Sequence, residues 1–83
     1  MKKRIAIFAS GSGSNAQKIM EHFKRNPEAE VVLILTNNPQ AYVLQRADNF
    51  EIPSHIFARH EFYETDGIIR LLKNLQVDLI VLA

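Results

Sequence analysis

The residues with the clearest capacity for chemistry are consecutive. Gly11-Ser12-Gly13-Ser14-Asn15 follows the apolar run Ile5-Ala6-Ile7-Phe8-Ala9 and opens a helical pattern. A buried strand, a glycine turn and a helix N-terminus together make an anion site. Glycine lets the backbone approach an oxyanion closely, and the first N–H groups of a helix have no intrahelical acceptor. Ser10, Ser12 and Ser14 add hydroxyls and Asn15 adds an amide. All can donate to phosphate oxygens without contributing a full charge. The same residues have a plainer reading, a tight turn into a helix capped by Ser14, with Gln17 completing a capping box and no ligand at all.

The remaining residue types argue against rival chemistries. The chain has no cysteine, which excludes disulfides, thiolate nucleophiles and cysteine-zinc sites and fits a reducing compartment. His22, His55 and His60 are too scattered to form a metal set, so no metal is expected. His22 lies beside an apolar stripe and is expected to be partly exposed, and His55 to be structural. His60 with Glu61 and Glu64 fits no metal-binding helix motif and reads as a solvated loop. Glu61, Glu64 and Asp66 read as an acidic cluster at a helix N-terminus, where the dipole favours negative charge. Asp78, at the start of the last apolar run, reads as a local cap or pair.

A net charge of +1 gives no electrostatic claim on nucleic acid or anionic membranes. Lys2-Lys3-Arg4 reads as a solvated end before a buried strand. The apolar run after it is too short for a signal segment or a bilayer span. The expectation is a soluble cytoplasmic protein with neither a nucleic-acid nor a membrane partner.

Positioning the loop requires regular elements, and the 83 residues allow at most one small domain with a modest core. At 47% hydrophobic and 23% charged, the composition is that of a globular chain rather than a disordered one. Residues 4–9 predict a strand buried on both faces. Ala16, Ile19, Met20 and Phe23 fall on one helical stripe, with Pro27 beyond its end. Val31 to Leu35 predicts a second buried strand, stopped by Asn37-Asn38-Pro39. Ala41, Leu44, Ala47 and Phe50 suggest a shorter helix, and His55-Ile56-Phe57, after Pro53, a brief third strand. Ile68, Leu71, Leu72 and Leu75 form a third helical stripe, and Val77 to Leu82 a final strand.

The resulting β-α-β-α-β-α-β alternation implies an α/β fold with a parallel sheet covered by helices on both faces. Right-handed crossovers give strand order 3-2-1-4, the first half of a doubly wound, Rossmann-like sheet, with ligand at the carboxyl ends of the strands. The last strand has no following helix to cover it. An uncovered apolar edge pairs with other chains, so residues 1–83 are expected to be a truncated N-terminal portion, open to self-association through that strand.

Gly11-x-Gly13-x-x-Ala16 also fits the dinucleotide fingerprint. That site needs an acidic residue near the end of the second strand, and Leu35-Thr36-Asn37 offers none. A phosphate cradle survives this comparison better than a nicotinamide site.

The stretch Ala9-Ser10-Gly11-Ser12-Gly13-Ser14-Asn15-Ala16-Gln17 resembles the start of the phosphoribosylglycinamide formyltransferases, folate-dependent enzymes of purine biosynthesis. The likeness continues through Thr36-Asn37-Asn38, Ala41-x-x-Leu44-x-Arg46-Ala47, Ile52-Pro53-Ser54-His55 and Asp78-Leu79-Ile80-Val81-Leu82-Ala83, and so runs in order along essentially the whole chain. The resemblance implies the N-terminal half of a formyltransferase fold, in which Gly13, Ser14 and Asn15 bind the phosphate of glycinamide ribonucleotide while Gly11 and Ser12 shape the loop.

It further implies formyl transfer from 10-formyltetrahydrofolate to the substrate amine. The family's N-x-H motif, later aspartate and pterin loop all come after the position matching Ala83, so no catalytic residue is expected in this chain and the fragment alone is expected to be inactive. Many family members carry a folate-contacting arginine four residues before an aspartate that matches Asp66. Phe62 stands there, with Arg59 nearby, and neither is given a folate role. An alternative of another class is a non-catalytic phosphate- or nucleotide-binding module acting through a partner chain.

Overall fold

A computed structural model describes residues 2–58 and 66–83. Four strands, β1 (Lys3–Phe8), β2 (Ala29–Thr36), β3 (Ser54–Ile56) and β4 (Leu79–Leu82), alternate with three helices, α1 (Ser14–Phe23), α2 (Val43–Asn49) and α3 (Gly67–Asn74). The strands form one parallel sheet in the order β3-β2-β1-β4. This is the Rossmann-like order expected from the alternation of strand and helix patterns. The readings placed on Arg59, His60, Glu61, Phe62 and Glu64 lie outside the described residues.

β1 lies inside the sheet, between β2 and β4. Ile5, Ala6 and Ile7 are all buried, which only a strand with neighbours on both edges and layers on both faces achieves. Alternation sends Ile5, Ile7 and Ala9 to the layer that holds Ala16 and Met20 of α1 and Val43 and Ala47 of α2. Ala6 packs in the opposite layer with Leu33, Leu35 and Ile68, joined by Leu71 and Leu72 of α3 and by Leu75 just after it.

β2 changes parity on the way. The β1–β2 register shifts between Ile5 and Ala6, so that Ile5 faces Val31 but Ala6 faces Leu33. The extra residue, Val32, lets Val31 and Ile34 serve the same layer despite their odd spacing.

Several expectations need correction. The α1 N-cap is Gly13, in the left-handed region at φ 79°, and no side-chain hydrogen bond caps the helix. Ser14 is already the first helical residue, so its hydroxyl does not cap, and Gln17 instead bonds Glu21 and Arg46. In α2, Ala41 is buried before the helix starts, and Val43, absent from the predicted stripe, is fully buried.

Arg4 is not a solvated end. Its Nε donates to the Leu75 carbonyl at 2.7 Å and its Nη1 lies 3.2 Å from Glu30 Oε1. Asp78 pairs across the fold rather than locally. Its Oδ2 accepts from the Arg4 N–H at 2.9 Å while its own N–H donates to the Arg4 carbonyl at 2.7 Å. β4 lies at the sheet edge beside β1 alone, and Leu79, Ile80 and Leu82 are 53%, 45% and 81% exposed, in keeping with the expectation of a last strand that no following helix covers.

Candidate functional site

The loop between β1 and α1 emerges at the carboxyl end of the central strand. It lines an open cleft of about 180 Å3 with Gly11, Ser12, Gly13, Ser14, Asn15 and Ala16, joined by Ala9 and Ala83. That is far more room than the roughly 10–15 Å3 a single water requires. The first intrahelical bond of α1 runs from the Gln17 N–H to the Gly13 carbonyl at 2.7 Å. The N–H groups of Ser14, Asn15 and Ala16 therefore precede the helical ladder and stand at the positive end of the helix dipole. The side chains of Ser14 and Asn15 are exposed, and neither plugs the cleft with a bond to the protein among the described residues.

The two glycines differ. Gly13 sits where a Cβ would lie 2.5 Å from Val43 Cγ2 and 2.6 Å from Val43 Cβ. Its missing side chain thus lets α1 pack on α2, rather than clearing the path of a ligand. A Cβ on Gly11 meets nothing within 4 Å, so that position faces open space. Ser10 turns away from this group and lines a second hollow of about 260 Å3 with Thr36, Asn37, Phe8, Phe57 and Leu82. The two hollows share Ala9 and Ala83, and together they run along the carboxyl ends of the strands.

Sequence reading missed Arg46. Its Nε donates to the Ser12 carbonyl at 2.7 Å, its Nη1 bonds Gln17 Oε1, and its guanidinium lies 4.9 Å from the centre of the Tyr42 ring. The arginine thereby ties α2 to the loop. The signal available was its place in the A-x-x-L-x-R-A stretch, which carried no role by itself.

The other candidates do not join the site. His22 is exposed with its ring edge-on to Phe23, and His55 is half-buried in β3. Asp66 stands at the N-terminus of α3 as expected, but makes no capping bond and instead pairs with Arg70 at 3.0 Å. Among the described residues, no group of three or more His, Asp or Glu could hold a metal ion.

A glycine turn leading into a helix at the carboxyl end of the central strand, in a parallel sheet of order 3-2-1-4, is a Rossmann-like arrangement. The family model described as formyl transferase matches residues 3–83, and the chain belongs to the formyl transferase family. It is 38% identical over 86 residues to the phosphoribosylglycinamide formyltransferase of Bacillus subtilis, a match covering 98% of this chain and 44% of that protein.

It is also 39% identical over 90 residues to the trifunctional purine biosynthetic protein adenosine-3 of Drosophila melanogaster, covering 99% of this chain and 7% of the relative. Among solved structures, glycinamide ribonucleotide transformylase 1 from Geobacillus kaustophilus superposes with a TM-score of 0.86 at 38% identity, over 99% of this chain and 46% of that one. The chain thus spans less than half the length of these relatives.

Proposed function

We propose that the protein carrying this chain transfers a formyl group from 10-formyltetrahydrofolate to the primary amine of glycinamide ribonucleotide, and that these residues anchor the substrate phosphate. One observation carries the reading. In a member of the formyl transferase family, a cleft is lined by Gly11 to Ala16, where the first N–H groups of α1 precede its helical ladder and have no protein acceptor among the described residues. The N–H groups of Gly13, Ser14 and Asn15 would hold phosphate oxygens, helped by the Ser14 hydroxyl and the Asn15 amide. Gly11 and Ser12 shape the wall, and the adjoining hollow over the strand ends leaves room for the rest of the substrate.

Binding at the phosphate, remote from the reacting amine, can restrict the amine's position and so lower the entropic part of the barrier. The folate, when bound, supplies the electrophilic formyl carbon. The N-x-H pattern does not occur in the 83 residues, so proton removal from the amine and stabilisation of the tetrahedral oxyanion are assigned to none of them. The reading includes a cytoplasmic location, for which the absence of cysteine is a fitting composition. No helix among the described residues is long and apolar enough to cross a membrane.

The test is the double substitution Ser14→Ala with Asn15→Ala in the full-length protein. Glycinamide ribonucleotide binding should weaken roughly tenfold or more, as expected for lost hydrogen bonds to a charged group, while folate binding stays nearly intact. Equal losses for both ligands would contradict the assignment.

A further inference from the structure

Arg46 joins two elements at the cleft without lining it. The cleft is bounded by Ser12 and Gly13, whereas Arg46 reaches the Ser12 carbonyl from α2. No peptide bond among the described residues is cis. In a trans peptide the C=O and N–H of one plane point in opposite directions. Holding the Ser12 carbonyl on the guanidinium therefore turns the N–H of the next residue, Gly13, the other way. That N–H has no protein acceptor among the described residues.

The plane is one that would otherwise flip readily, because it precedes a glycine, which tolerates φ of either sign. A flipped plane would aim the Ser12 carbonyl at the cleft and its negative end at any anion there. From these relations we infer that Arg46 is a positioning residue that locks the Ser12–Gly13 peptide with its N–H presented to the phosphate. This inference rests on the phosphate reading given above.

The geometry explains why arginine stands at the position. A planar guanidinium can donate to the Ser12 carbonyl from Nε and to Gln17 Oε1 from Nη1 at once, and its face can rest on Tyr42. Gln17 is held in turn by its own bond to Glu21 Oε1 at 2.8 Å. The carbonyl thus meets a donor fixed from two sides. A lysine ammonium would keep the charge but lose this fork.

The experiment uses the full-length protein, its Arg46→Met and Arg46→Lys variants, and inorganic phosphate as the probe. Phosphate affinity is measured by calorimetry, the Gly13 amide resonance by 15N-resolved NMR without ligand, and folding by urea titration. Arg46→Met should weaken phosphate binding roughly ten- to hundredfold and displace or broaden the Gly13 resonance. Arg46→Lys should recover only part of the affinity and leave the resonance displaced.

Phosphate binding by either variant equal to that of the parent would overturn the inference. Full recovery by lysine would mean that charge, not peptide orientation, is what the position supplies. A parent protein that binds no phosphate would defeat the phosphate reading itself. A parent that binds, with an Arg46→Met variant that binds equally, would defeat only the role of Arg46. Because Arg46→Lys preserves charge and chain length, it keeps the test decisive if Arg46→Met unfolds.

Discussion

A Cβ built on Gly13 falls 2.5 Å from Val43 Cγ2, whereas one built on Gly11 meets nothing within 4 Å. Gly13 also has a positive φ of 79°, and Gly11 does not. Gly13→Ala should therefore destabilise the fold, by about 1–3 kcal/mol for the crowding alone, read as a lower urea midpoint. Gly11→Ala should leave the midpoint within about 0.5 kcal/mol and instead weaken phosphate binding, because its new methyl stands on the open side of the loop. If Gly13→Ala were as stable as the parent, the packing of α1 on α2 through this residue would be wrong. The loop was legible in sequence because glycines and hydroxyls are unusual directly after an apolar strand. The reason for Gly13 was not, since Val43 is distant in sequence and only the folded helix pair brings it near. Arg46 was illegible for the same reason, its partners being a backbone carbonyl and a glutamine on other elements.

Two helices end in the same device, and neither ending uses glycine. After α2, the Glu51 N–H donates to the Asp48 carbonyl and the Ile52 N–H to the Ala47 carbonyl, both at 2.9 Å, with Glu51 at φ 58°. After α3, the Gln76 N–H donates to Lys73 and the Val77 N–H to Leu72, both at 3.0 Å, with Gln76 at φ 54°. These paired bonds form Schellman motifs, each closed by residues of one apolar layer, Ile52 with Ala47 and Val77 with Leu72. A left-handed conformation costs a side-chain-bearing residue about 1–2 kcal/mol. Glu51→Gly and Gln76→Gly should therefore each raise stability by roughly 0.5–1 kcal/mol after glycine's own entropy is counted, seen as a higher thermal midpoint. A fall in both midpoints would show that those left-handed turns are not strained. Without glycine to mark them, the helix ends could not be read from the sequence, although apolar periodicity placed all three helices. The β2 parity change was equally hidden, because five consecutive apolar residues, Val31 to Leu35, carry no alternation to interrupt.

At the scale of the molecule, the strand order was legible because apolar strands separated by amphipathic helices leave few right-handed arrangements. The sheet is unequally protected. β1 is buried between neighbours, while β4 forms an open edge with Leu82 81% exposed. Open apolar edges recruit other strands. The 83 residues expressed alone should sediment as more than a monomer, and Ile80→Lys with Leu82→Lys should shift them toward the monomer. A monomeric parent at high concentration would mean that the edge is tolerated without pairing. The same unit should show no formyl transfer by itself, since the proposed function gives none of its residues a part in the transfer step.

The most direct measurement is an amide-resolved NMR titration of the full-length protein with glycinamide ribonucleotide. The largest shifts should fall on the N–H groups of Gly13, Ser14 and Asn15, and inorganic phosphate at higher concentration should reproduce them. Saturable binding that leaves those three amides unmoved, with its shifts centred elsewhere, would contradict the proposal that this helix entrance grips the substrate's phosphate.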